Sequence, residues 1–404
     1  MSRPVLPEDQ VDPDGSGLSI VLIVMDGLGG LPDSRSGRTE LETATTPHLD
    51  ALAARASLGM LEPVAPGITP GSGPGHLSLF GYDPREYVIG RGALSALGVG
   101  MELKPGDVAA RLNLASFDDQ GRVVDRRAGR PTDAEGRRIV ERLRDELVMP
   151  DDIQLDLVHE KEHRVVLRLR GTGLDDALTD TDPLVEGVEA LRCEATDSGS
   201  ERTAEVVRDF LEQSRRILSD EEAANGFLAR GFASFRHIPT QRERFGLRGV
   251  AVAKYPMYRG VARMVGMEVG PVPDTTAGTL DALEEVWGGY DLYFVHFKDT
   301  DTRGHDGDFA GKVAAIEEVD ALLPRITALD PGVIIVTGDH STPTQLKEHS
   351  WHPVPTLLAS PWCRPTATRF GEDRCRGGDL GLFHGTALIP HALAHAGRLV
   401  KFGA

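Results

Sequence analysis

The 404-residue chain has only three cysteines, Cys193, Cys363 and Cys375, and none forms a C-x-x-C pair. That scarcity excludes a disulfide framework or a thiolate zinc site and fits a reducing compartment. Positive charge is also short: 44 Lys and Arg stand against 62 Asp and Glu, a net −18. A phosphate-backbone footprint needs the opposite excess, so nucleic acid is excluded as the main partner. No apolar run approaches the roughly 18 residues that span a bilayer, which argues against a membrane partner. The first nineteen residues, MSRPVLPEDQVDPDGSGLS, hold no apolar h-region, so the expected location is cytoplasmic.

What is present reads as folded and enzymatic. Apolar content of 40% and charged content of 26% are ordinary for a globular chain, and the length calls for two domains or one domain carrying an insertion. The run IVLIVM at 20–25 has the unbroken apolar character of a strand buried on both faces. TTPHLDALAARAS, from Thr45, pairs a threonine cap with an early proline and apolar residues at helical spacing, so a helix follows. Two further runs, YDLYFVHFKDTD near 290–301 and GVIIVTGDHS near 332–341, flank the amphipathic KVAAIEEVDALLPRI. Strand, helix, strand predicts a parallel α/β sheet. Residues 105–240 differ, mixing strand-like HRVVLRLRG with helical DAEGRRIVERLRDEL and SERTAEVVRDFLEQSRRIL. The expected plan is a flexible N-terminus at 1–18, a core at 19–104 and 241–404, and an inserted smaller α+β domain at 105–240.

Polar residues collect where the predicted core strands end: Asp26, then Asp299 and Asp301, then Asp339 and His340. In open α/β sheets that edge binds ligands, although an acid after a strand also serves as a turn former or helix cap. Asp301 and His305 are four apart, and His349 follows in KEHSWHPVP. Oxygen and nitrogen donors without thiolates suit Mn²⁺, Mg²⁺ or Zn²⁺, and there are enough for two ions. Paired ions clamp a phosphoryl group and activate a ligating hydroxyl. TPGSGPGHLSLFGY at 69–82 offers two serines for that role. Ser72 lies among glycines that let backbone approach a phosphate, whereas Ser78 sits in an apolar context and reads as structural. Lys254, after the apolar VAVA, emerges at the same rim and could hold a phosphate, or could be a snorkelling core-edge lysine.

These motifs resemble the cofactor-independent, or 2,3-bisphosphoglycerate-independent, phosphoglycerate mutases of archaeal type, within the alkaline phosphatase superfamily. The match runs through VMDGLGG at 24–30, TPGSGPGHLSLFGYDP at 69–84, DRRAGR at 125–130, KDTDTRGHDGD at 298–308, TGDHSTP at 337–343 and HSWHPVP at 349–355. The resemblance implies an alkaline-phosphatase-like three-layer core with a mainly parallel sheet. It also implies interconversion of 3-phosphoglycerate and 2-phosphoglycerate through a phosphoserine, in glycolysis and gluconeogenesis, without 2,3-bisphosphoglycerate. By resemblance one metal is held by Asp301, His305 and His349, and a second by Asp26, Ser72, Asp339 and His340, with manganese first and magnesium, cobalt or zinc as substitutes. Lys254 then lies near the transferring phosphate and Asp299 moves protons. Arg126, Arg130, Arg164 and Arg230 are the candidates for gripping glycerate. The alternative on the same residues is a phosphohydrolase or a homoserine-kinase-like phosphotransferase. The expected partner is a small phosphoglycerate substrate; the oligomeric state is left open.

Overall fold

The run at 20–25 forms β1 (Ile20–Met25), and all six residues are fully buried. A strand without one exposed side chain must lie inside a sheet covered on both faces. The chain is seen in a computed structural model that describes residues 10–11, 17–88, 90–236 and 238–402. The expected N-terminal segment 1–18 thus lies outside the described residues, apart from Gln10, Val11, Gly17 and Leu18.

The strands follow in chain order. After β1 come β2 (Ala56–Glu62), β3 (Val108–Phe117), β4 (Val123–Asp125), β5 (Gln154–Lys161), β6 (Arg164–Arg170) and β7 (Gly226–Ser234). Then come β8 (Gly249–Val252), β9 (Glu268–Val269), β10 (Leu292–Phe297), β11 (Val333–Thr337), β12 (Val354–Ala359) and β13 (Gly381–His384). Contacts divide the chain into two compact units, residues 1–88 with 238–404 and residues 89–237.

In the first unit eight strands form one sheet in the order β13-β2-β12-β11-β1-β10-β8-β9. β8, β10, β1 and β11 are mutually parallel neighbours, so their C-terminal ends share one rim, the mainly parallel arrangement that the sequence predicts. β12 runs antiparallel to β11 and β2. The crossover helix between β10 and β11 is Phe309–Ala328, started by Asp308, whose side chain accepts from the Gly311 N–H at 2.9 Å. Its Ile316, Val319, Leu323 and Ile326 recur at helical spacing and pack into the core beneath the sheet. Among the described residues no helix is long and apolar enough to cross a membrane.

Two local expectations change. The helix after Thr45 spans Pro47–Ala53 with Thr46 at its cap, yet Thr46 makes no side-chain cap bond. Asp320 supplies it from the crossover helix, accepting from the N–H groups of Leu49 at 2.7 Å and His48 at 3.3 Å. The first domain boundary also moves: the helix Arg91–Gly98 packs on β3 and β7, so it belongs with the second unit rather than ending the core at 104. At the other boundary Pro239 stays with the first unit, its carbonyl accepting from the Tyr82 hydroxyl at 2.7 Å.

The second unit is an α+β body. β3 is its central strand, pairing antiparallel with β4, β6 and β7, while β5 pairs with β6. The helices Asp133–Glu146 and Glu201–Ile217 bury Ile139, Leu143, Val207 and Phe210 against one face. The capping box of Thr132 and Glu135 starts the first of them.

Lys312, on the crossover helix, is completely buried. Its ammonium donates to the carbonyls of Gly27 at 2.9 Å, Gly29 at 3.1 Å and Thr342 at 2.9 Å. The loops after β1 and β11 are thereby tied to one cation. Gly27 has φ +64°, and a Cβ there would lie 2.5 Å from Thr342 Oγ1, so only glycine allows the two loops to close. Lys312→Met should lower unfolding stability by about 3–5 kcal/mol, because three buried carbonyls lose their donor. Denaturant titration measures it, and a loss below about 1 kcal/mol would show that the tie is dispensable.

Candidate active site

The shared rim delivers three buried carboxylates. Asp26 follows β1, Asp339 follows β11 by one residue, and Asp301 sits in the first turn of the helix Asp299–Asp306, which begins directly after β10. Asp26 and Asp339 have no exposed surface and Asp301 is 2% exposed. Bringing such groups together is unfavourable unless positive charge or proton donors meet them.

Three histidines arrive with their protons already committed. His349 Nδ1 lies 2.8 Å from the Pro70 carbonyl and His305 Nδ1 3.0 Å from the Lys347 carbonyl. A carbonyl only accepts, so each Nδ1 carries the hydrogen. Thr342 Oγ1 donates to Asp301 Oδ1 at 2.7 Å and therefore accepts from His340 Nδ1 at 3.0 Å. Burial holds His340 below the usual histidine range, against the pull of Asp339 and Asp26, which keeps the ring neutral. A hydrogen on Nδ1 of a neutral ring leaves Nε2 as a bare lone pair.

Each of the three Nε2 atoms faces carboxylate oxygen. Asp301 Oδ1 lies 3.5 Å from His305 Nε2, 3.6 Å from His349 Nε2 and 4.0 Å from His340 Nε2. His340 Nε2 is also 3.3 Å from Asp26 Oδ1, a buried oxygen with no hydrogen-bond partner, and 3.3 Å from buried Asp339 Oδ2. Lone pairs facing carboxylate oxygens repel unless a cation lies among them, so the donor set fits divalent metal ions. Ligand atoms of Asp26, Asp339 and His340, and of Asp301, His340 and His349, lie within 4.8 Å of one another. His340 thus belongs to both groups, whereas the resemblance assigns it to the second alone.

Ser72 stands at this cluster. It opens the helix Ser72–Leu79, and its Oγ is 3.2 Å from His340 Nε2. Gly75, one turn on, would place a Cβ 2.4 Å from the Asp339 carbonyl, so glycine is what lets this helix approach the loop after β11. Ser78 is fully buried, its Oγ has no hydrogen-bond partner, and it packs against Gly385. The two serines lie on one short helix, and of the two Ser72 is the one that contacts the cluster, through His340.

The outer oxygens are held by groups that the strand-end reading missed. Lys298 Nζ lies 3.1 Å from Asp26 Oδ2 and 2.5 Å from Asp301 Oδ2. It bridges both carboxylates on the side away from their lone-pair partners. Burial opposes its charge, but Asp26 and Asp301 outweigh that and hold the ammonium well above its usual pKa. Burial likewise disfavours ionised Asp26, and Lys298, His296 and His340 overcome it to keep that carboxyl well below its usual range. His296 Nε2 meets Asp26 Oδ2 at 3.1 Å beneath a stacked Tyr258 ring. His76 Nδ1 lies 3.1 Å from Asp339 Oδ2 and 2.8 Å from the Ser72 carbonyl. Lys298 ends an apolar strand just as the acids do and was readable by the same rule.

Lys254 and Asp299 follow β8 and β10 at the same rim, but both are exposed. Lys254 Nζ donates to the Asp274 carbonyl at 2.5 Å, and Asp299 Oδ2 is 3.5 Å from Thr276 Oγ1. Among the described contacts neither touches the carboxylate cluster.

The arginine candidates lie in the second unit. Register pairs Arg111 with Arg230 and Asn113 with Arg164, which puts all four on one face of its sheet. Arg111 Nε, Arg164 Nε and Asn113 Oδ1 are buried without partners. Burial, then Arg164 and Arg230, push the Arg111 guanidinium down to about 10. Arg126 has its fork taken by Asp182 at 2.8 Å on both arms, with Arg230 3.5 Å from the same carboxylate. Arg130 is exposed at φ 57°.

Known proteins resemble the chain along most of its length. The family model for 2,3-bisphosphoglycerate-independent phosphoglycerate mutase matches residues 53–224. A Thermus thermophilus protein described as a "Probable 2,3-bisphosphoglycerate-independent phosphoglycerate mutase" is 52% identical over 389 residues, 95% of this chain and 96% of the relative. A Deinococcus radiodurans protein of the same description is 48% identical over 392 residues, again 95% of this chain and 96% of the relative. Among solved structures, the cofactor-independent phosphoglycerate mutase of Thermoplasma acidophilum is 31% identical, with a TM-score of 0.71 over 94% of this chain and 100% of that one. A Pyrococcus horikoshii protein is 30% identical, with a TM-score of 0.81 over 96% of this chain and 100% of that one. The chain belongs to the family of 2,3-bisphosphoglycerate-independent phosphoglycerate mutases, which are isomerases.

Proposed function

We propose that the chain interconverts 3-phosphoglycerate and 2-phosphoglycerate by way of a phosphoserine on Ser72, a step of glycolysis and gluconeogenesis in the cytoplasm. The observation that carries this reading is the convergence of Ser72 Oγ, three imidazole Nε2 atoms and buried oxygens of Asp26, Asp301 and Asp339 on one rim. Asp301, His305 and His349 would hold one divalent ion, and Asp26, Ser72, Asp339 and His340 a second, with His340 in reach of both. The family resemblance puts manganese first, ahead of magnesium, cobalt or zinc, and oxygen and nitrogen donors without thiolates are compatible with it. Bound ions would neutralise phosphoryl oxygens and make the serine hydroxyl more acidic.

The rest of the work falls to the chain. Ser72 Oγ forms a bond to phosphorus as the bond from phosphorus to the glycerate 3-oxygen breaks, and that oxygen takes up a proton. In the second half the 2-hydroxyl gives up a proton, attacks the same phosphorus and releases Ser72. Asp299 is our candidate for carrying that proton between the two oxygens, and Lys254 for holding the phosphoryl oxygens. The N-terminus of the helix Ser72–Leu79 adds favourable backbone N–H groups, since Gly71 makes no side-chain cap. The face carrying Arg111, Arg164 and Arg230 would bind the glycerate carboxylate, because the buried Nε groups of Arg111 and Arg164 have no partner and favour an anion. Arg126 and Arg130 are weaker candidates, one committed to Asp182 and the other exposed.

An enolase-coupled assay with 3-phosphoglycerate, added manganese and no bisphosphoglycerate should show turnover; strict dependence on bisphosphoglycerate, or net release of inorganic phosphate, would contradict the reading. Ser72→Ala should fold normally and lose at least about 10³-fold in kcat, because it lacks the attacking oxygen. Phosphopeptide mapping should find its phosphoserine gone, and near wild-type turnover would reassign the nucleophile. Asp301→Ala should bind less metal after dialysis, as read by elemental analysis, and an unchanged stoichiometry would reject its place among the ligands.

A further inference from the structure

The opposite end of the large sheet carries a second polar cluster that the reaction does not use. A cavity of about 590 Å³ opens where β1 and β11 begin, lined among others by Ser19, Arg55, Asp330, Ser360 and Cys363. Cys363 is half-buried, whereas Cys193 and Cys375 are fully buried. Ser360 Oγ stands 2.7 Å from His395 Nδ1 and 3.5 Å from Cys363 Sγ. The sulfur is itself 3.9 Å from His395 Nδ1 and donates to the Leu358 carbonyl at 3.1 Å. A thiol, a hydroxyl and an imidazole therefore meet on a cavity wall.

The surroundings separate this thiol from the other two. Burial pushes Cys363 up, but hydrogen bonds from His395, Ser360 and Ser57 outweigh it and hold the thiol near 7. Burial alone dominates at Cys193 and Cys375, pushing them up to about 11 and about 12. A thiol that ionises near neutrality and faces open space is the reactive kind. Arg55 and Asp330 lie on the same wall, so the cavity offers one cation and one anion to a zwitterionic ligand.

We propose that Cys363 is a thiol-modification site that exchanges with small disulfides bearing an amino-acid head group. The Cys363 sulfur attacks one sulfur of the disulfide, a new S–S bond forms and the old one breaks. The Cys363 proton passes by way of His395 to the departing thiolate, so the balance is one protein thiol and one disulfide giving a mixed disulfide and one free thiol. Arg55 and Asp330 receive the carboxylate and ammonium of the head group. The inference stands apart from the phosphoryl-transfer reading, because none of these residues belongs to the carboxylate cluster.

The native full-length protein should be incubated with glutathione disulfide from pH 5.5 to 9.5 and its adducts mapped by mass spectrometry. Expected are adducts on Cys363 alone, with a rate midpoint near pH 7 and a slower reaction with cystamine, which lacks carboxylates. His395→Ala and, separately, Ser360→Ala should slow the reaction at pH 7 by about tenfold and move its midpoint upward, with phosphoglycerate turnover unchanged as the check on folding. A midpoint at or above 8.5 in the wild-type protein, or equal labelling of Cys193 or Cys375, would overturn the proposal. Equal rates for the two disulfides would remove Arg55 and Asp330 from it.

Discussion

Three carboxylates buried at one end of a parallel sheet are the constraint around which the first unit is organised. Burial alone would protonate Asp26, Asp301 and Asp339 or drive them apart. The fold answers on two sides. On the outer side, Lys298 joins one oxygen of Asp26 to one oxygen of Asp301, and His296 adds a donor to Asp26. On the inner side the donors are few: Thr342 Oγ1 reaches Asp301 Oδ1 and His76 Nδ1 faces Asp339 Oδ2. There the structure also gathers imidazole lone pairs and a serine hydroxyl, an arrangement that suits cations.

The same constraint explains residues that seem remote from chemistry. Asp26 and His340 lie on loops whose carbonyls, those of Gly27, Gly29 and Thr342, would otherwise be buried without donors. Lys312 satisfies all three from the crossover helix and fixes the spacing between the loops. Pro70 and Lys347 accept from His349 and His305, so their backbone carbonyls choose which nitrogen faces Asp301. Orientation of the ligands thus rests on peptide groups, which are harder to displace than side chains.

Much of this was legible in the sequence, for a physical reason. A parallel sheet brings strand ends to one rim, so Asp26, Asp301, Asp339 and His340 could be gathered from apolar runs that stop abruptly. Lys312 could not, since a lysine in an amphipathic helix reads as solvated and its acceptors lie as far as 285 residues away. Arg111 was hidden too. It looks like an ordinary alternating strand residue until register sets it opposite Arg230. The cap of the helix Pro47–Ala53 misled because Asp320 reaches it from another element. Local pattern identified the rim, whereas the cations that steady it depend on tertiary pairing.

The central claim is that the inner face of the carboxylate cluster is built for two divalent ions. Calorimetric titration of the metal-stripped protein with Mn²⁺ tests it most directly. The account predicts two equivalents bound per chain. Binding of no ion, or of a single ion, would contradict it.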